Sequence, residues 1–300
     1  KTVEWIRLHR KEYSWKMKAF YSMLKMSRQN VSQKIIRSQR GAMIAETAIE
    51  LANEIRKDHP EMGCRKMYWK NLSNLPIGRD ECEKVLISSG FRVQFPKNYK
   101  RTTYSISKFY HPNLIEGLEI NGINQVWQTD ITYFEVKDRF YYLTFIEDVY
   151  SRRIVGWAVD YSLWAEANMR ALRKAFKLRG QQLNGLIHHS DRGSQYIDQG
   201  YNDLLKRKEI RPSMCQYAWE NSYCERLNGI IKNEYLRHWN ISNLDQLKRS
   251  LERAVYLYNN ERPHGSLLQR HSPVEFEQKL KAGFFEERPL MRIYKHGVES

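Results

Sequence analysis

The stretch Trp127-Gln128-Thr129-Asp130-Ile131-Thr132-Tyr133 decides how this chain is read. Its aromatic and β-branched residues suit a strand, and an aspartate stands in the middle of it. Two other acids have phrases of their own. Asp191 lies in His188-His189-Ser190-Asp191-Arg192-Gly193-Ser194-Gln195-Tyr196, and Glu225 in Glu220-Asn221-Ser222-Tyr223-Cys224-Glu225-Arg226-Leu227-Asn228-Gly229. A strand-borne Asp, a later Asp and a helix-borne Glu make a carboxylate cluster suited to divalent metals. In a strongly basic chain, the natural target of such metals is a phosphodiester backbone.

Outward from this strand the pattern is α/β. Residues 125–136 and 139–148 form a hairpin turning at Lys137-Asp138, and 153–160 a third strand. An amphipathic helix follows over 165–178, then Gly180, a short buried strand over 185–189, and a helix over 201–208. A brief extended piece at 210–212 leads to a long helix over 222–239 and another over 244–259. A three-stranded meander followed by helix, strand, helix, strand and helix is the order of an RNase H-like fold: a mixed five-stranded sheet with flanking helices. Residues 288–294 read as a terminal strand or a tail. On this reading the catalytic core covers residues 121–283 and the C-terminal tail 284–300.

The front of the chain is helical and basic. Residues 16–24 give one short helix, Lys25-Met26 a turn, and Ser27 an N-cap for a helix over 28–37. This fits a helix-turn-helix segment over residues 1–40, or a plain helical hairpin. In the first case Arg28, Gln29, Asn30, Gln33 and Lys34 reach base edges or phosphates. A second helical domain over 41–91 combines helices at 45–57, 64–72 and 80–88 and carries Arg65 and Lys66; it suits DNA binding or a structural spacer. Residues 92–120 read as a basic linker.

Composition agrees with a polyanionic partner. The 300-residue chain carries a net charge of +16 with a pI near 9.6. Residues 1–120 hold 23 Lys and Arg against 12 Asp and Glu, so most of the excess lies in the front. Cys64, Cys82, Cys215 and Cys224 form no CxxC pair and no secretory leader is seen, which points to reduced thiols in the cytoplasm. No apolar run is long enough to span a membrane, and no His pair is spaced with a Cys pair for zinc.

Breaking or joining a phosphodiester needs a deprotonated oxygen nucleophile and stabilisation of charge on the phosphoryl and leaving oxygens. Two metals about 3.5–4 Å apart serve both ends of an in-line displacement. Mg²⁺ or Mn²⁺ prefers carboxylate oxygens, so Asp130, Asp191 and Glu225 are the candidate metal ligands and catalytic residues. Asp148 and Asp198 read as structural acids, and Glu220 as a cap at the helix start. Asn228 and Lys232 share the face of Glu225 at helical spacing and are candidate DNA contacts, whereas Glu234 points to the opposite side.

These phrases resemble the integrase-type DDE transposases of bacterial insertion sequences, within the retroviral integrase superfamily, and specifically the second-frame product of a two-frame element. The resemblance also rests on His59-Pro60…Gly63-Cys64-Arg65-Lys66, Ser151-Arg152-Arg153-Ile154-Val155-Gly156-Trp157 and Tyr258-Asn259-Asn260-Glu261-Arg262-Pro263-His264. It implies metal-dependent cleavage at the element ends and strand transfer of the freed 3′-hydroxyl into DNA. It further implies double-stranded DNA as partner (terminal repeats and target), a homo-oligomer on DNA, the first-frame product as a second partner, and action at the bacterial nucleoid. Thirty-three residues separate Asp191 from Glu225, where the family typically has about 35, and the shortfall falls in the loop before the helix. No leucine-zipper heptads are seen. Two other readings stay open: a sequence-specific DNA-binding regulator with a catalytically silent core, and a metal-dependent nuclease that only hydrolyses.

Overall fold

The computed structural model describes residues 9, 12, 17–23, 25–94, 110–180, 183–285 and 289–293. The chain divides into two compact units, Lys1–Ile55 with Gly63–Arg92, and Arg56–Met62 with Val93–Ser300.

In the first unit, α1 (Met17–Met23) is followed by a turn in which Lys25 takes a positive φ of 49°. Ser27 Oγ then accepts the backbone N–H of Asn30, as an N-cap should. The helix it starts, α2, runs over Arg28–Asp58 and is 31 residues long. The two helices expected at 28–37 and 45–57 are therefore one, and the boundary placed at residue 40/41 falls inside it. Gly41 is the only breaker between them, and a helix-interior glycine costs only about 1 kcal/mol. The expected helices at 64–72 and 80–88 correspond to α3 (Cys64–Lys70) and α4 (Arg79–Ser88). Met67, Leu72, Cys82 and Leu86 are fully buried between them.

The second unit is the expected RNase H-like α/β core. Its strands are β2 (Val126–Val136), β3 (Arg139–Asp148), β4 (Ile154–Asp160), β5 (Ile187–Ser190) and β6 (Arg211–Met214), in the order β4-β3-β2-β5-β6. The β2–β3 and β3–β4 pairs are antiparallel; β2–β5 and β5–β6 are parallel. Positive φ at Lys137 (47°) and Asp138 (61°) suits the two-residue hairpin turn, whose twist matches that of the strands. Helices α5 (Ala165–Arg179) and α6 (Gln199–Lys206) contribute to a core with Trp127, Ile146 and Val155. The other face of the sheet, through Leu143, Phe145 and Val159, packs on α7 (Ser222–Ile230) and α8 (Leu244–Asn260). Gly156 is required on β4: a Cβ there would lie 2.3 Å from the carbonyl oxygen of Ala171 on α5.

The structure differs from the sequence reading in further places. Residues 110–120 are not linker: Ile115 and Ile120 are buried, Leu114 N–H bonds Ser213 Oγ, and β1 (Glu119–Ile120) pairs with β7 (Met291–Arg292). Of the two readings of 288–294, that pairing gives the strand, at Met291–Arg292, and Ile293 beside it is fully buried. The long helix at 222–239 is a composite of α7, a π turn over Ile231–Tyr235 and a 3₁₀ turn over Leu236–His238. A further helix, α9 (Pro273–Lys281), starts at the Ser272 cap. The linker residues Pro96, Tyr99, Lys100 and Arg101 lie outside the described residues, as do Arg288 and Tyr294.

Candidate active site

Side chains on a strand alternate between faces, so Gln128, Asp130 and Thr132 share one face of β2. Each meets the 218–235 segment. Gln128 Nε2 donates to the carbonyl of Glu220, Asn228 Nδ2 donates to Asp130 Oδ2 at 2.7 Å, and Lys232 Nζ donates to Thr132 Oγ1 at 2.6 Å. Asn221 Nδ2 adds a bond to the Thr129 carbonyl at 3.0 Å. Four contacts thus fix the segment that carries Glu225 against the strand that carries Asp130.

Asp191 comes from the neighbouring strand. Thr129 is in register with Ser190 in the parallel β2–β5 pair, so the chain leaves β5 at Asp191 beside Asp130. Its Oδ1 accepts the Gly193 N–H at 3.1 Å, which fixes the carboxylate in the loop. Glu225 sits in the first turn of α7, exposed.

Of the three acids, Asp130 is the one on which the other two act. Asp130 is held well above the usual carboxylate range, first by burial, then by the negative charges of Asp191 and Glu225, with Lys232 opposing. Burial raises Asp191, against the Gly193 N–H, and partial desolvation at the foot of the helix raises Glu225. Burial also lowers Lys232, whose ammonium lies 5.3 Å from the Tyr133 ring centroid. Among the described residues, no group of three or more His, Cys, Asp or Glu side chains is placed to hold one metal ion jointly. The set is close enough to concentrate negative potential without being closed around a point. Asp130 is engaged by an amide and Asp191 by a backbone N–H, and like charges resist closer approach. Hard carboxylate oxygens in excess of nearby cations are a donor set that fits Mg²⁺ or Mn²⁺.

The other acids are structural. Asp148 is fully buried, bonded to Ser151 and 3.6 Å from Arg179. Asp198 caps α6 by accepting the Tyr201 N–H. Glu220 closes the turn over Ala218–Asn221 by accepting the N–H groups of Gln216 and Tyr217. His188 and His189 bond Tyr201 and Ser213, and burial pushes both down to about 3, so they are neutral.

The candidate DNA contacts separate into two kinds. Arg28, Gln29, Asn30, Gln33 and Lys34 are all exposed on the first turns of α2. Arg65 is exposed with its guanidinium on Glu83, and Lys66 is half-buried. Asn228 and Lys232, by contrast, point at β2: the shared helix face was legible, but its partner is the strand. Sequence reasoning missed Gln128 and Thr132. The period-two alternation on either side of Asp130 marks them.

The mixed five-stranded sheet with flanking helices is the fold of the integrase catalytic cores. Residues 121–218 match a family model described as "Integrase core domain", and residues 208–273 match a second model with that description. The chain is 30% identical over 223 residues to the uncharacterized 31 kDa protein of insertion element IS600 from Shigella sonnei, covering 72% of this chain and 81% of that one. It is 26% identical over 266 residues to the transposase for insertion sequence element IS629 from Shigella sonnei, covering 86% of each. Among solved structures, the HTLV-2 integrase catalytic core domain in complex with magnesium aligns with a TM-score of 0.42 at 20% identity, over 55% of this chain and 98% of that one. The chain belongs to the integrase-type transposases of insertion sequences.

Proposed function

We propose that this protein is a DNA transposase that cleaves at the ends of its element and transfers the freed 3′-hydroxyl into DNA, with Asp130, Asp191 and Glu225 as its catalytic triad. The observation that carries this reading is the convergence on Asp130: two other acids from separate elements raise its proton affinity, while Asn228 and Lys232 fix the opposing helix. The three carboxylates are the residues that would hold divalent ions. When bound, Mg²⁺ or Mn²⁺ supplies an activated oxygen nucleophile and charge stabilisation on the phosphoryl group. The protein's part is to hold the carboxylates in place and to keep Lys232 beside them as a cation for the DNA phosphate. Arg28, Gln29, Asn30, Gln33 and Lys34, with Arg65 and Lys66, serve as the DNA grip. DNA-end pairing calls for more than one copy of the chain, acting in the cytoplasm on chromosomal DNA.

A labelled DNA carrying the element ends, incubated with Mg²⁺ or Mn²⁺, tests the reading. Wild type yields cleaved and joined products. Asp130→Asn, Asp191→Asn and Glu225→Gln yield neither while still binding DNA. Cleavage without joining in the wild type points to a nuclease, and binding without chemistry to a regulator. Either outcome overturns the assignment.

A further inference from the structure

Tyr258-Asn259-Asn260-Glu261-Arg262-Pro263-His264 takes no part in the chemistry described above, yet its side chains are buried or bonded almost throughout. Arg262 makes a forked pair with Glu234: Nε donates to Oε2 at 2.7 Å and Nη2 to Oε1 at 2.8 Å. The two side chains are 3% and 6% exposed. Such a fork fixes orientation as well as distance. Three residues earlier, Asn259 exchanges two hydrogen bonds with the backbone of Ile154, one accepted and one donated, both 2.9 Å. Arg262 is therefore tied to β4 of the central sheet, and Glu234 to Arg262.

Glu234 lies in the π turn over Ile231–Tyr235, which follows directly on the helix bearing Glu225. Two more bonds hold that turn on the same side. The Glu234 carbonyl accepts the Glu61 N–H at 3.3 Å, and the Tyr235 hydroxyl lies 3.0 Å from His59 Nδ1. His59 in turn lies 3.4 Å from the carboxylate of Glu261. On the opposite side, Lys232 of the same turn donates to Thr132 on β2. The π turn is gripped from both sides at once.

A π turn holds one residue more than an α turn between the same bonded groups, and such turns are frequent at functional sites. At about 100° per residue Glu234 stands opposite the face shared by Glu225, Asn228 and Lys232, so anchoring Glu234 on Arg262 holds that face toward β2. We propose that Arg262 is a positioning residue: through Glu234 it holds the π turn, and so sets the rotation at which the helix presents Glu225, Asn228 and Lys232 to Asp130. This rests on the reading of Glu225 as a member of the triad.

The alternative is that the pair only stabilises the fold, and two variants separate the two roles. Arg262→Lys keeps the buried positive charge but replaces the fork with a single point donor. The double variant Glu234→Leu/Arg262→Met removes both buried charges together, a replacement that often leaves stability unchanged or raised. Each is assayed for melting temperature, for affinity to an element-end DNA, for kcat and KM of end cleavage, and for the Mn²⁺ concentration giving half-maximal rate. The proposal expects kcat to fall roughly 10- to 100-fold, as misplacement of a reacting group by about 1 Å does. It also expects the Mn²⁺ requirement to rise while KM and DNA affinity change far less than kcat, even in a double variant that melts no lower than wild type. Wild-type kcat and Mn²⁺ response in a folded Arg262→Lys protein or a folded double variant overturns it. Glu225→Gln, run in parallel, distinguishes the two levels. If Glu225→Gln still cleaves, the triad reading has failed and this proposal falls with it. If Glu225→Gln is inactive and the double variant is not, only the positioning role has failed.

Discussion

Replacing Asn228 by leucine decides between two roles for that residue, a contact with DNA and a partner for Asp130. The structure favours the second: Asn228 is 4% exposed and its amide lies 2.7 Å from Asp130 Oδ2. A hydrogen bond to a charged group contributes about 1.5–3 kcal/mol, and leucine keeps the branched shape while removing the donor. If the bond orients Asp130 through the reaction, its loss lowers kcat/KM for end cleavage by about 10- to 150-fold, at roughly 1.4 kcal/mol per factor of ten. DNA affinity, read by fluorescence anisotropy at the same ionic strength, should stay within about twofold, because a side chain this buried has little surface to offer a phosphate. Single-turnover cleavage of a labelled end is the companion assay. Cleavage within threefold of wild type in a folded protein would refute the argument. A loss of DNA affinity with the chemical step intact would return Asn228 to the DNA interface.

Further outcomes follow from particular contacts. Gly156→Ala places a Cβ 2.3 Å from a backbone oxygen of α5 that cannot rotate away; it should cost about 2–3 kcal/mol or more, seen as a lower midpoint in urea. Glu147 is buried, with its carboxyl pushed up to about 8 mainly by desolvation. The folded state therefore holds a proton that the unfolded chain releases near pH 4.5, and stability should fall as the pH rises from there to about 8. Glu147→Gln should flatten that slope in pH-dependent denaturation. DNA binding should weaken with salt at a log–log slope of about −0.9 per phosphate neutralised, and Arg28→Ala with Lys34→Ala should make the slope shallower by about two. An unchanged slope would remove both residues from the interface.

The core was legible because its elements obey simple periodicities. The hairpin could be read from its β-branched and aromatic strands, and α5 and α8 from their apolar stripes and their ends at Gly180 and Asn260. The acids were legible because each interrupts such a pattern with a recognisable phrase. What was not legible depends on contacts distant in sequence. Nothing local says that Glu119–Ile120 pairs with Met291–Arg292, since strands of two residues carry no alternation to read. Nor does local pattern reveal a π turn at Ile231–Tyr235, because it is held by Arg262, His59 and Thr132 from three distant segments of the chain. The single helix over Arg28–Asp58 was divided in the sequence reading because Gly41 weakens a helix without stopping one. The helix at Pro273–Lys281 did have a signal, Ser272 as N-cap with proline in the first turn and Glu275 three residues after the cap.

The central claim, that Asp130, Asp191 and Glu225 together hold the divalent ions, is tested most directly by titrating Mn²⁺ calorimetrically into the protein bound to an uncut element-end DNA. The account predicts saturable binding in the wild type and at least about tenfold weaker binding in each of Asp130→Asn, Asp191→Asn and Glu225→Gln, a loss of about 1.4 kcal/mol or more. Asp138→Asn, in the exposed hairpin turn, should bind as wild type does. Equal Mn²⁺ affinity in the wild type and all three triad variants would contradict it.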